Sequence, residues 1–171
     1  MKYLNLILTG IFISVLWSCG GKNDVRVPAP TATRKLTNNS SKTWVLKTDE
    51  SGNVDVTKSS VIINGTKVDD SVRVLKDMAI TFAVSREDAP EGTYNIRASQ
   101  GVFRTSAGIW RFDDQAKSII LLVDENIRLV TSQFDNNNLR FSFSTQGCVL
   151  GINCRENVVT AKTYTFDMRP L

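Results

Sequence analysis

The sequence predicts an all-β domain in which an antiparallel meander of about eight strands closes into a barrel. Apolar and polar residues alternate with a period of two over most of the chain from Lys42 onward, as expected for strands with one buried and one wet face. Turn-forming residues separate these alternating runs. Closure is expected because it removes the exposed edges that so long a sheet would otherwise carry.

The amino-terminal segment, residues 1–18, has the composition of a secretory signal peptide. Lys2 supplies a positive charge, and Tyr3–Trp17 is largely apolar. A helix of this run would reach about 22 Å, which is short of the roughly 30 Å hydrocarbon layer of a bilayer. The run therefore predicts a cleaved signal rather than a permanent membrane span.

The segment Leu16-Trp17-Ser18-Cys19 resembles the lipobox of bacterial lipoproteins. The resemblance implies that Cys19 carries fatty acyl chains such as palmitate and becomes the new amino terminus, which is an effectively permanent anchor. An ordinary signal with a chance cysteine is the alternative. Gly20 stands where inner-membrane lipoproteins carry aspartate, so the resemblance implies the outer membrane. Lys22-Asn23-Asp24 resembles the lysine-plus-acid tags that carry some lipoproteins to the cell surface. Both the periplasmic face and the cell surface therefore stay open.

Residues 19–35 are expected to form the lipidated cysteine and a flexible tether. The stretch from Gly20 to about Thr33 contains a Gly-Gly pair and two prolines and has few residues that could pack in a core. The barrel domain is then expected to span residues 36–171. A chain of this size forms one domain and can bury a sizeable core without stabilising disulfides or bound metals.

Six strands are predicted from alternation, and each has an apolar face that is expected to point inward. These faces are Trp44/Leu46, Met78/Ile80/Phe82/Val84, Tyr94/Ile96/Ala98, Trp110/Phe112, Leu139/Phe141/Phe143 and Tyr164/Phe166/Met168. Two more strands are expected at Ser118–Val123 and Ile127–Thr131. Ser118–Val123 is apolar on both faces, which predicts a central position in the sheet.

Asn64-Gly65 predicts a two-residue hairpin, because a type I′ turn needs two residues that tolerate positive φ. Asp135–Asn138 predicts a second hairpin connection. Only Thr33–Ser41 and the Val68, Val72, Leu75 pattern compete as helices, and both are weak. We therefore expect one or two short helices at most.

Two segments are similar to the lipocalin-like lipoproteins of Gram-negative bacteria. Leu36–Leu46 resembles the opening of that family, in which a tryptophan begins the first barrel strand. Gly92-Thr93-Tyr94, Gly108–Asp113 and Leu139–Phe143 resemble its later strands. The resemblance implies a lipocalin-like barrel. It carries over no ligand-binding residues, because the shared motifs are packing motifs.

The sequence departs from the lipocalin pattern at two places. Lys42 stands two residues before the first tryptophan, where lipocalins have glycine. Gln146–Val158 has no counterpart in the family pattern and contains two cysteines. Cys148 and Cys154 are expected to form a disulfide in an oxidising compartment. The ring would contribute about 2.4 kcal/mol in the chain-entropy model, and a redox pair would need tighter spacing.

The composition argues against catalysis and nucleic-acid binding. The chain has no histidine, which excludes Ser-His and Cys-His nucleophiles and imidazole metal ligands. Loss of Lys2 would lower the net charge from +4 to +3, and no long basic run is present. The carboxylate pairs Asp69-Asp70, Asp113-Asp114 and Asp124-Glu125 lie at predicted turns, and Asp49–Asp55 fits a hairpin loop better than a calcium loop. We expect no enzyme activity, cofactor or metal.

Two functions remain open. The first is a non-catalytic outer-membrane lipoprotein that binds a small apolar ligand or serves as an accessory subunit. The second is a structural or protein-interaction module of the cell envelope with a solid barrel core. The expected partners are the membrane, through the lipid anchor, and either a small apolar ligand or an envelope protein. The side chains expected to line the cavity or fill the core are Trp44, Phe82, Trp110, Phe112, Phe141 and Phe143.

Overall fold

The structure, a computed structural model, describes residues 30–148 and 159–171. Across these residues no helix is long and apolar enough to cross a membrane. The two helices of the described residues are short: α1 (Ala32–Thr37) and α2 (Asp69–Arg73). The strands are β1 (Ser41–Leu46), β2 (Ser60–Ile63), β3 (Thr66–Lys67), β4 (Ala79–Ala83), β5 (Glu91–Arg97), β6 (Ala107–Phe112), β7 (Ile119–Leu122), β8 (Ile127–Phe134), β9 (Leu139–Cys148) and β10 (Val159–Pro170).

Eight of the strands close into an antiparallel barrel, which confirms the predicted fold class. The order around the barrel is β1, β4, β5, β6, β7, β8, β9, β10 and back to β1. At the seam between the last and first strands, Trp44 lies opposite Pro170 and Leu46 opposite Met168. Beside this seam, Lys47 Nζ lies 2.7 Å from the buried Asp167 Oδ1. The barrel is therefore closed by strand pairing and by an ion pair.

The strands β2 and β3 and the helix α2 form an excursion between β1 and β4. The hairpin turns at Asn64 and Gly65, whose φ angles of 48° and 83° confirm the predicted turn. The strand β2 pairs with the first half of β10, from Lys162 to Thr165, whereas β1 pairs with its last residues. The excursion thus extends the sheet beyond the barrel.

Helix α1 lies at the end of the barrel where β1 begins. Thr31 caps it by accepting a hydrogen bond from Arg34 N at 3.1 Å, and Asn38 ends it with a φ of 52°. Thr33 and Leu36 are fully buried, because the helix packs its apolar side against the barrel. The packed structure therefore starts ahead of the predicted domain boundary at Leu36.

The strand bounds differ from the prediction in two informative places. Ala98 was expected to continue β5 but has a φ of 52° and begins the β5–β6 loop. The strand β7 was predicted to be central, and it does have a neighbour on each side. In a closed barrel every strand has two neighbours, so this position does not distinguish β7 from the others. On the outer side of β7, Leu121 is 8% exposed and the following Val123 is 42% exposed.

Candidate functional site

The barrel interior was the predicted candidate site, and the structure fills it with side chains. Trp44, Phe82, Trp110 and Phe141 are completely buried and Phe143 is nearly so, whereas Phe112 is half-buried. Phe82 meets Trp110 edge-on at 6.0 Å between ring centroids, and Phe141 meets Phe166 edge-on at 5.8 Å. These distances lie in the range that aromatic rings favour, so the rings pack against one another.

The aromatic core is larger than the sequence indicated. Phe143 stacks on Tyr164 at 4.9 Å and on Phe103 at 5.2 Å, and Phe103 comes from the β5–β6 loop rather than from a strand. No alternation surrounds Phe103 in the sequence, and sequence reasoning missed it for that reason. Tyr164 and Phe166 were predicted to face inward, and both are buried.

Helix α1 and Lys42 close one end of the barrel. Trp44 Nε1 donates a hydrogen bond of 3.0 Å to Leu36 O at the end of the helix. Lys42 Nζ lies 4.4 Å from the centroid of the Trp44 ring and donates to Lys35 O at 3.0 Å. The pKa of Lys42 lies below its usual value, because burial lowers it by more than the nearby Asp135 carboxylate raises it. The lysine that departs from the lipocalin pattern therefore holds the helix against the tryptophan.

The opposite end is covered by the α2 region and the β5–β6 loop. Val72, Leu75 and Met78 are fully buried beside the barrel core. Tyr94 Oη lies 3.0 Å from Thr105 Oγ1, which donates to Glu125 Oε1 at 2.7 Å. Burial, with Glu125 and Asp124 nearby, raises the pKa of Tyr94. This network ties the loop to the β7–β8 turn, so both ends of the barrel are covered.

The two glycines of the family-like motifs have a steric role. A Cβ at Gly92 would overlap Ala83 O and lie 2.9 Å from Trp110 Nε1, which itself donates to Ala83 O at 3.2 Å. A Cβ at Gly108 would overlap the carboxylate of Asp124, whose Oδ2 accepts a hydrogen bond from Ile109 N. Both glycines make room for neighbouring groups, so these motifs are packing motifs.

Two cavities that described residues border lie outside the barrel. A groove of about 500 Å³ crosses the outer wall of β4, β5 and β6, and a polar cavity of about 410 Å³ lies beside α1. The groove is lined mainly by outward-facing residues: Thr81, Ala83, Thr93, Asn95, Ala107 and Ile109. Both of these openings therefore lie on the protein surface.

The predicted carboxylate pairs act in turns. Asp113 forms an ion pair of 2.7 Å with Arg128, and Asp114 accepts hydrogen bonds from the backbone of Ser118 and Ile119. Asp69 and Asp70 begin α2 and pair with nearby cations. Each carboxylate therefore has a structural role at a turn or helix start.

Asp49–Asp55 is a hairpin loop, as predicted. Asp49 Oδ1 accepts hydrogen bonds from Ser51 N and Asn53 N at 2.9 Å, and Thr48 bridges to Val54. Within residues 30–148 and 159–171, no group of three or more His, Cys, Asp or Glu side chains is arranged to hold a metal.

The predicted lipidation site and one predicted disulfide partner, Cys19 and Cys154, lie outside the described residues. Cys148 ends β9 and lies opposite Val159 in register. Lipidation and the disulfide therefore stay predictions.

A comparison of the chain with protein-family models finds no match, and a comparison with curated proteins finds no similar sequence.

Proposed function

We propose that this protein is a non-catalytic, lipid-anchored component of the Gram-negative outer membrane whose filled, lipocalin-like barrel serves as a protein-interaction module. One observation favours the interaction function over small-ligand binding. The inward positions of the barrel are occupied by fully buried aromatic and aliphatic side chains, including Trp44, Trp110, Phe141 and Phe166. A ligand pocket needs at least about 300 Å³. A barrel packed in this way presents its surface, rather than its interior, to other molecules.

The proposed anchor limits where the module acts. Acylation of Cys19 would leave ten residues between that cysteine and Pro30, where the described structure begins beside α1. That length of chain spans at most about 40 Å when extended. The barrel would therefore stay close to the membrane surface, on the periplasmic or outer side, and meet partners of the cell envelope.

We also propose the Cys148–Cys154 disulfide. Support comes from the pairing of Cys148 with Val159, which places the chain beside Cys148 again five residues after Cys154 in the sequence. Cys154 is then separated from Cys148 by a short connection. A disulfide would constrain this connection without holding the barrel together, because strand pairing closes the barrel elsewhere.

The experiment that tests the proposed function is a titration of the purified protein with a naphthalene-sulfonate dye and with a fluorescent fatty acid. Wild type should show no saturable binding that an unlabelled fatty acid displaces. The dry cavity that Phe141→Ala opens is too small for either probe, so this variant serves as a positive control with benzene as the guest, which an engineered apolar cavity takes up. Leu129→Ala is a second such control, should Phe141→Ala fold poorly. Saturable, displaceable binding by wild type would show that the protein is a ligand-binding lipoprotein rather than an interaction module.

A further inference from the structure

Lys47, Asn138 and Asp167 meet beside the seam between β10 and β1. Lys47 directly follows β1, Asn138 directly precedes β9, and Asp167 lies near the end of β10. Lys47 Nζ donates a hydrogen bond of 2.8 Å to Asn138 Oδ1 and lies 2.7 Å from Asp167 Oδ1. Three segments that are distant in the sequence therefore bring an amine, a carboxamide and a carboxylate together. We call these three side chains the seam triad.

The carboxylate of the seam triad is shielded from water. Asp167 is 4% exposed, and the equally buried Ser59, just before β2, accepts a hydrogen bond of 3.0 Å from Asp167 N. Although Lys47 Nζ is close to Asp167 Oδ1, this oxygen has no partner in hydrogen-bond geometry among the described residues. A buried carboxylate oxygen without such a partner is rare in proteins, and a role in proton transfer is one reason for it.

The carboxamide of the seam triad is held from both sides. Asn138 Nδ2 donates to both carboxylate oxygens of Asp135 at 3.0 Å, while Oδ1 faces Lys47. A carbonyl bond is about 1.2 Å long, so Lys47 Nζ lies within about 4 Å of Asn138 Cγ. Asp135 is fixed in turn by hydrogen bonds from the backbone of Asn137 and Asn138. The fold therefore keeps an amine next to an amide carbon, which favours a reaction between them.

The other lysine–aspartate pairs in the described part of the chain differ from the seam triad. Lys58 pairs with Asp55 at 3.4 Å and Lys67 with Asp69 at 3.1 Å, and these lysine side chains are 54% and 47% exposed. The side chain of Lys47 is 21% exposed. Neither Lys58 nor Lys67 donates to a side-chain amide within the described ranges. The seam triad is therefore a specific arrangement rather than an ordinary surface ion pair.

We propose that Lys47 and Asn138 form an intramolecular isopeptide bond and that Asp167 accepts a proton in the reaction. Lys47 Nζ first gives one proton to Asp167, which relieves the cost of keeping two charges away from water. The neutral amine then attacks Asn138 Cγ, so that the Nζ–Cγ bond forms and the Cγ–Nδ2 bond breaks. Nδ2 takes a second proton from Nζ and leaves as ammonia, which finally receives the proton held by Asp167.

The proposed bond would fasten the barrel at its seam. In the order around the barrel, β10 lies between β9 and β1. A bond from the end of β1 to the turn before β9 would bridge β10 and would hold the seam closed independently of the β1–β10 pairing. This modification goes beyond the proposed interaction function, and neither depends on the other.

Tryptic peptide mapping of the full-length protein by mass spectrometry tests the proposal. Trypsin does not cleave after a lysine whose Nζ is acylated. Wild type should therefore give one branched peptide in which Thr43–Lys58 is joined to Leu129–Arg140. Its mass should lie about 17 Da below the sum of the two peptides, because ammonia is lost. Fragmentation should place the junction between Lys47 and Asn138.

Three variants should lose the branched peptide. Asn138→Ala removes the amide, and Lys47→Arg keeps the positive charge but removes the amine. Asp167→Asn keeps the shape of the side chain but cannot accept the proton from Nζ. Asn137→Ala is the matched control and should keep the branched peptide, because this neighbouring asparagine of the same turn bonds to Asp135 through its backbone N–H. Circular dichroism shows which variants fold, and Asn138→Ala, at a partly exposed position, tests the proposal if Asp167→Asn does not.

The contrary results are equally specific. Recovery of Thr43–Lys47 and Leu129–Arg140 from folded wild type as separate peptides of unchanged mass, without the branched peptide, would overturn the proposal. A junction on Asn136 or Asn137 would overturn it as well. The branched peptide at its wild-type yield in folded Asp167→Asn would contradict the assigned proton transfer and with it the proposed reaction.

Discussion

Gly92→Ala is expected to destabilise the barrel far more than an alanine in a strand normally would. The added Cβ overlaps Ala83 O, a backbone atom that cannot rotate away, and it crowds the Trp110 indole at the point where its N–H bonds to that oxygen. Overpacking of this kind costs about 1–3 kcal/mol, and a buried indole N–H left without its acceptor costs about 1–3 kcal/mol more. The expected loss is about 2–6 kcal/mol, out of a typical total of roughly 5–15 kcal/mol.

Urea unfolding followed by tryptophan fluorescence measures this loss. Gly108→Ala is the matched comparison, because its added Cβ meets the end of the flexible Asp124 side chain, and it should cost less than Gly92→Ala. The double variant Gly92→Ala/Trp110→Leu should lose less than the sum of its single changes, since Trp110→Leu removes the crowded indole. A Gly92→Ala variant within about 0.5 kcal/mol of wild type would refute the steric reasoning.

Three further outcomes are expected. Mass spectrometry of membrane-extracted protein should show acyl chains on Cys19, and Cys19→Ala should yield an unacylated product that leaves the membrane fraction; acylation of that variant would contradict the proposed anchor. Peptide mapping without reductant should find Cys148 linked to Cys154, with two free thiols as the contrary result. Hydrogen bonding by the backbone of Asn137 holds the pKa of Asp135 below its usual value, so its stabilisation is lost as pH falls from about 4 through that lowered pKa. The stability deficit of Asp135→Ala should therefore shrink between pH 7 and pH 2, and a constant deficit would refute this role.

The strand alternation was enough to predict the barrel, because each strand has one buried face and one wet face. Tyr94 and Ile96 of β5 and Phe141 and Phe143 of β9 point inward as expected. The predicted hairpin turns formed because Asn64 and Gly65 tolerate positive φ and because Asp135 Oδ1 accepts bonds from the next residues of its turn. Local chemistry therefore determined the connections as well as the strands.

Other features depend on contacts between distant parts of the chain. The period of two does not reveal that Phe103 leaves its loop to stack on Phe143, or that Lys42 lies over Trp44 and reaches the end of α1. Alternation predicted the outward position of Ile109, but Ser118–Val123 was predicted to be a central strand because it is apolar on both faces. The structure instead leaves Val123 42% exposed on the outer wall, beside Ile109.

The filled barrel is the central claim, and a crystal structure under xenon pressure tests it most directly. Xenon occupies dry apolar cavities and finds no site in a close-packed core. Wild type should show no xenon inside the ring formed by β1 and β4 to β10, while a Phe141→Ala crystal treated in the same way should show xenon beside Phe166. Ordered xenon among Trp44, Trp110 and Phe141 of wild type would contradict the claim and would return the barrel interior to the role of a ligand site.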